Sequence, residues 1–341
     1  MQTSNQRYPL LDALRYVAAI IVAVCHYNLQ FGGGYYVSYE YLGIIGVEVF
    51  FVLSGFVLAN QINLILLSRD KITFLKIFLS RRWIRTIPSY LVALTFAGIL
   101  FGYGDLYNLF IHVIYSQNLI SDRPPHQFFG VGWTLSVEEW FYIIFPCFLL
   151  ISCKFYKSRQ AYFHSTILFL LLFGLMRALC EPGTEWGAEV RRAVIFRLDS
   201  IAYGYLSFTL KDQLGLKNNL LIFAVLAFIF VFFNTQNSIL LANNYMQNAF
   251  PIVCGVFFGS LMIILSKITQ VNKNPIIKVL DFLARTSYPI YLFHIIVIGL
   301  MKLSGNSSIW GFLISIHVFA IVFHFAFEYQ LLANRPKYPK L

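Results

Sequence analysis

Charge is what this sequence has least of. Only 12% of its 341 residues are Asp, Glu, Lys or Arg, about half the share of a soluble globular domain. A water-facing surface needs more, so a soluble fold is excluded and most side chains must face lipid or one another. Acids are scarcer still, 15 against 26 basic residues, for a formal net charge of +11. A nucleic-acid binder would gather that excess on one solvated face. Here it is divided among short loops between apolar runs, so no nucleic-acid partner is expected. The five cysteines (Cys25, Cys147, Cys153, Cys180 and Cys254) lie in or beside apolar segments with neither metal nor redox spacing, and read as small core residues. No two histidines stand four apart, and no metal site is expected. Internal repeats are absent. Gly32-Gly33-Gly34 has no Lys-Ser/Thr after it, which makes it linker rather than a phosphate cradle.

What the chain has in quantity is apolar length: 58% hydrophobic residues and a mean hydropathy of +0.68. A helix of about 20 apolar residues crosses the hydrocarbon core of a bilayer. Ten segments meet or approach that length: 10–29, 43–63, 86–103, 133–153, 162–180, 194–210, 218–234, 248–266, 286–303 and 309–331. They predict an all-α integral membrane protein of about ten transmembrane helices, one domain over 1–341, multi-pass in a bacterial inner membrane. The segments 194–210 and 218–234 are short, and 106–120 reads as a re-entrant or interfacial piece. The run from Leu10 is too long for a signal-peptide core and lacks an A-x-A site. With the N-terminus inside, 19 of the 26 Lys and Arg fall in inner loops and 5 in outer ones, which predicts both termini cytoplasmic.

Ionisable residues within spans are costly and usually face the bundle interior. Arg15 and His26, eleven residues apart, are three turns apart on one helix face, about 16 Å along the axis, and suggest a polar path. Glu48 opens the second span, Glu138 and Glu139 lie early in the fourth, Arg197 and Asp199 early in the sixth, and His294 about halfway up the ninth. Arg81, Arg82 and Arg85 cluster beside Arg15. Each has a plainer reading: positive-inside anchors for the three arginines, a structural ion pair for Arg197 with Asp199, an interfacial position for His26, a cross-helix hydrogen bond for His294.

Six stretches then fall in order. Leu11-Asp12-Ala13-Leu14-Arg15 with His26 resembles the Leu-Asp-x-Leu-Arg…His start of the membrane acyltransferase-3 family. Gly46-Val47-Glu48-Val49-Phe50-Phe51-Val52-Leu53-Ser54-Gly55-Phe56 is similar to its second-span signature, and Arg81-Arg82-Trp83-Ile84-Arg85-Thr86-Ile87-Pro88 to its RRxxRxxP segment. Trp133 to Tyr142 resembles WSLSVEEQFY, Arg197-Leu198-Asp199-Ser200 resembles RLDG, and Ser287 to His294 resembles SYSLYLIH. Ser200 stands where Gly is common, Trp140 replaces a polar residue, and Pro289 inside the ninth-span motif is expected to kink that helix.

The resemblance implies an O-acyltransferase, acetyl-coenzyme A or another acyl-coenzyme A as donor substrate with no permanently bound cofactor, and a saccharide or glycolipid hydroxyl as acceptor. No appended soluble hydrolase domain is expected, so transfer would be completed by the membrane core alone or with a partner. In that chemistry Arg15, Arg81, Arg82 and Arg85 suit the donor phosphates, and His26 is the base or transient acyl carrier, oriented by Glu138. Glu48, Ser54, Arg197, Asp199, Tyr291 and His294 form the acceptor or structural pocket. A transporter or flippase is the alternative, because a polar stripe through ten spans suits it too. The acyl group, the acceptor hydroxyl and the oligomeric state stay open.

Overall fold

The computed structural model describes residues 8–32, 36–121, 128–154, 161–180, 185–235, 243–268 and 275–339. Gly33 and Gly34 of the glycine run lie outside them. Its helices are α1 (Pro9–Phe31), α2 (Tyr36–Leu67), α3 (Lys71–Phe101), α4 (Leu106–Val113), α5 (Gly132–Ser152), α6 (Ala161–Ala178), α7 (Leu198–Leu210), α8 (Leu216–Thr235), α9 (Asn244–Ile268), α10 (Pro275–Leu303) and α11 (Ile309–Phe323). One wider turn (His324–Glu328) carries α11 into the short α12 (Tyr329–Ala333). Among the described residues, eight helices are long and apolar enough to cross a membrane, and Leu216–Phe232 is a shorter apolar one. The chain is an all-helical, multi-pass membrane protein.

The sixth expected span is the exception. Only Leu198–Leu210 is regular helix, 13 residues or about 20 Å, short of a hydrocarbon core of about 30 Å. Irregular turns at Trp186–Arg191 and Val194–Phe196 precede it. Backbone at that depth must find partners inside the protein. Val194 N donates to Asn118 O at 2.9 Å and Ile195 N to Leu119 O at 3.2 Å, so the residues after α4 serve as its pairing strip. In α4 the apolar Leu106 and Phe110 are exposed while Asn108 and His112 are buried.

Two boundaries move. α3 begins at Lys71 rather than 86, its N-terminus capped by the Asp70 carboxylate accepting from Thr73 N at 3.0 Å. Hydrogen bonds from Thr73 hold the Asp70 carboxyl below its ordinary range. Arg81, Arg82 and Arg85 therefore belong to a helix and not a loop. α10 likewise begins at Pro275 rather than 286 and continues through Pro289.

Packing is tightest between α2 and α7. A Cβ placed on Gly55 would collide with the Ile201 carbonyl, and one on Gly204 with the Val52 carbonyl. Small residues permit this backbone approach where lipid supplies no hydrophobic drive between helices. Gly255 and Gly259 of α9 seat Tyr203 and Ser207 from the other side of α7 in the same way.

Candidate active site

α1 and α10 lie side by side, and their histidines meet. Nε2 of His294 lies 3.0 Å from Nδ1 of His26, with the rings stacked at 5.0 Å between centroids. The protons can be assigned from the neighbours. Nδ1 of His294 is 2.7 Å from Tyr291 O. A carbonyl only accepts, so in the neutral ring Nδ1 carries the proton and Nε2 accepts. Nδ1 of His26 must then donate, shared between His294 and Val22 O at 3.0 Å. Nε2 of His26 is left unprotonated, which is the form a general base needs.

One turn before His294, the Tyr291 hydroxyl shares a 2.6 Å hydrogen bond with Thr134, and Phe50 meets the Tyr291 ring edge-on at 5.3 Å. These three residues line a cavity of about 80 Å³ that also touches Ser54, Glu138, Arg15 and Arg82. His294 connects to it through Tyr291, whose ring centre is 5.9 Å from that of His294. Ser54 donates to Glu138 Oε1 at 2.6 Å and Tyr142 to Oε2 at 2.8 Å. Both oxygens of Glu138 are thus engaged, and the group bonded to His26 is His294 rather than Glu138. Glu139 points the other way and accepts from Thr86 at 2.6 Å.

Arg15, Arg85, Val57 and Tyr288 also line a second cavity of about 510 Å³, so the two spaces adjoin. Arg15 is bonded to Asp12 at 3.3 Å. Arg82 is buried with its Nε lacking a partner. Arg81 turns aside to the Pro336 carbonyl at 2.6 Å. On the same wall Glu328 accepts from Ser89 at 3.1 Å and lies 3.0 Å from His324.

The opposite half is built differently. Arg197 and Asp199 do not pair with each other. Arg197 bonds Glu48, which is buried inside α2 and does not open it. Asp199 is held by both terminal nitrogens of Arg177, at 2.9 and 2.7 Å. Arg197 is the non-helical residue just before α7 while Asp199 lies in its first turn, and each finds its partner on another helix. Arg177 sits in the last turn of α6 at 1% exposure. Nearby, Arg191 lies between the rings of Trp133 (5.6 Å) and Trp186 (5.7 Å). Burial, helped by Arg192, brings its guanidinium down to about 10.

Reading by residue type missed Thr134, Tyr142, Tyr288 and Glu328. Tyr142 and Tyr288 carried a signal, since they stand one or two helical turns from Glu138 and His294. Thr134 stands in the family-like stretch Trp133 to Tyr142, which could have pointed to it, and Glu328 carried no signal.

The acyltransferase-3 model, described as an acyltransferase domain, matches residues 8–329. The peptidoglycan O-acetyltransferase OatA of Listeria monocytogenes is 32% identical over 206 residues, 53% of this chain and 30% of the relative. The putative peptidoglycan O-acetyltransferase YrhL of Bacillus subtilis is 26% identical over 378 aligned positions, covering 96% of this chain and 55% of the relative. The O-acetyltransferase OatA of Staphylococcus aureus is 23% identical over 361, covering 95% and 57%. The chain spans about half the length, or less, of these curated relatives. No solved structure matches it. With the family model covering nearly all of the helical bundle, this chain belongs to the acyltransferase-3 family.

Proposed function

We propose that this protein is a membrane O-acetyltransferase that moves an acyl group from acyl-coenzyme A to a saccharide hydroxyl. The observation that carries the reading is the His26–His294 pair joined through Tyr291 to an arginine-lined cavity. Relatives named peptidoglycan O-acetyltransferase or O-acetyltransferase support the same class.

In this reading the donor phosphates rest among Arg15, Arg82 and Arg85, with Arg81 behind them, on the side that loop charge assigns to the cytoplasm. The pantetheine arm follows the narrow cavity past Ser54 and Glu138 and brings the thioester to Tyr291. The acceptor hydroxyl approaches from the opposite side. Nε2 of His26 takes its proton as the oxygen attacks the thioester carbon. The Tyr291 hydroxyl, on the cavity wall, serves as a donor to the developing oxyanion. The C–S bond breaks as the ester C–O bond forms, and His26 returns the proton to the departing sulfur. His294 keeps His26 in the tautomer this sequence of transfers requires. Glu138, fixed by Ser54 and Tyr142, holds the cavity wall, while Glu48–Arg197 and Arg177–Asp199 hold the bundle around it.

The test uses membranes containing wild type or His26→Ala at equal abundance, supplied with radiolabelled acetyl-coenzyme A. Wild type is expected to put base-labile label on glycan, and His26→Ala to lose about 10²–10⁴-fold of that rate. Undiminished transfer by the variant would overturn the role of His26. No label with wild type, together with solute uptake lacking any acyl donor, would replace the enzyme with a transporter.

A further inference from the structure

We propose that Arg335, on the segment following α12, is a phosphate-binding residue of the donor site, held in the wall of that site by the anchored residues Pro336 and Tyr338. The proposal rests on the acyl-coenzyme A reading above and adds to it a side chain outside every family-like motif in the chain.

After Ala333 the helix stops and the chain turns back against α3. Two anchors hold it there. The Pro336 carbonyl accepts from Arg81 at 2.6 Å, and the Tyr338 ring stacks on Phe74 at 5.6 Å. The Arg81 guanidinium also stands 5.3 Å from the centre of the Tyr338 ring, a favourable cation–π placement. Arg81 thus acts as a clamp on the segment. Arg335 comes immediately before the first anchor, which aims its guanidinium into the 510 Å³ cavity alongside Arg15 and Arg85.

What it finds there is positive charge without an answering anion. Nε and Nη2 of Arg335 are buried with no hydrogen-bond partner, as are Nε of Arg82 and Nε of Arg81. The acids that share the cavity wall are already engaged: Asp12 with Arg15 at 3.3 Å, Asp281 with Arg285 at 2.5 Å, Glu328 with Ser89 and His324. Among the described residues no carboxylate bonds Arg82, Arg85 or Arg335. Burial brings Arg335 down to about 9, and Arg85, Arg82 and Arg81 push the same way, with Glu328 opposing. Buried N–H groups left unmade are costly, and more so on a cation. An anion with several acceptor oxygens removes that cost, and guanidinium forks fit phosphate. A wide basic chamber leading into a narrow passage suits a ligand with a phosphorylated head and a slim tail.

The phosphate could belong to the donor or to an anionic lipid headgroup, and one titration separates them. Full-length protein in phosphatidylcholine nanodiscs, with or without phosphatidylglycerol, is titrated calorimetrically with coenzyme A and with pantetheine, which lacks the phosphates. Arg335→Ala is expected to weaken coenzyme A about 10-fold or more and to leave pantetheine unchanged. Arg335→Lys, which keeps the charge but not the fork, should fall between, and so should Tyr338→Ala, which frees the wall. Arg335→Lys also serves if the alanine variant does not fold. Equal coenzyme A affinity in wild type and the Arg335 variants would overturn the proposal. So would a loss of retained phosphatidylglycerol with coenzyme A affinity intact, which would assign the site to lipid. Wild type that binds no coenzyme A at all would overturn the donor reading itself, a result distinct from either.

Discussion

Buried arginines occupy both halves of this bundle, and the protein treats them in opposite ways. Arg177 and Arg197 are matched with Asp199 and Glu48, both pairs nearly inaccessible, and neither arginine lines either of the two cavities described above. Arg197 too keeps Nε and Nη1 without partners, but its charge is answered by Glu48, whereas Arg82 and Arg335 have no bonded carboxylate among the described residues and border open space. The same side chain is a brace in one half and a receptor in the other. What separates them is whether a carboxylate from another helix completes the guanidinium. A buried pair gains little over apolar packing but is very costly to break. An uncompleted cation costs stability by itself, and a ligand can recover that loss.

The strongest way to break the contrast is to remove one member of a matched pair. Asp199→Ala should cost about 3–5 kcal/mol, because it strands the Arg177 charge. Thermal unfolding in detergent measures it, and Arg177→Met combined with Asp199→Leu should recover most of the loss. If the double variant is as unstable as the single one, the pair is not acting as a brace. Next comes His294→Phe, which keeps a ring but removes the acceptor for His26 Nδ1. Turnover should fall about 100-fold while the donor KM stays near wild type, and an unchanged kcat would show that the tautomer of His26 is set by Val22 alone. Gly55→Ala should destabilise by about 2 kcal/mol through overpacking, although alanine in a helix interior otherwise gains up to about 1 kcal/mol over glycine. The smallest effect should come from Arg82→Gln, with stability within about 0.5 kcal/mol of wild type or above it and a donor KM raised about 10-fold. A large loss of stability there would make Arg82 a brace after all.

The spans were legible wherever apolar length was continuous, and the Arg15–His26 stripe was legible because one helix fixes its own periodicity. His294 was visible as a charge-bearing residue in a span. Its meeting with His26 was not visible, since nothing in either segment says that α1 lies against α10. The start of α3 was obscured for a physical reason: Lys71 to Arg85 is too basic to score as a span, yet Asp70 caps it and long cationic side chains can keep their heads near the interface. Partner choice was the least legible feature. Arg197 and Asp199 stand two apart and look like a pair, but Arg197 precedes α7 with non-helical backbone while Asp199 lies in its first turn, and they meet different helices. Arg335 read as one more inner-loop charge, because the fold-back that buries it depends on Phe74 and Arg81, more than 250 positions away.

The backbone contact between α2 and α7 has one more consequence. Gly55 and Gly204 leave no gap between their helices for a side chain to slide in or out, so that joint has no play. Ser54 and Glu48 on one helix and Asp199 on the other are therefore parts of a single rigid piece. Whatever opens to admit a donor or release a product, α2 and α7 travel together, and the moving seam must lie elsewhere in the bundle.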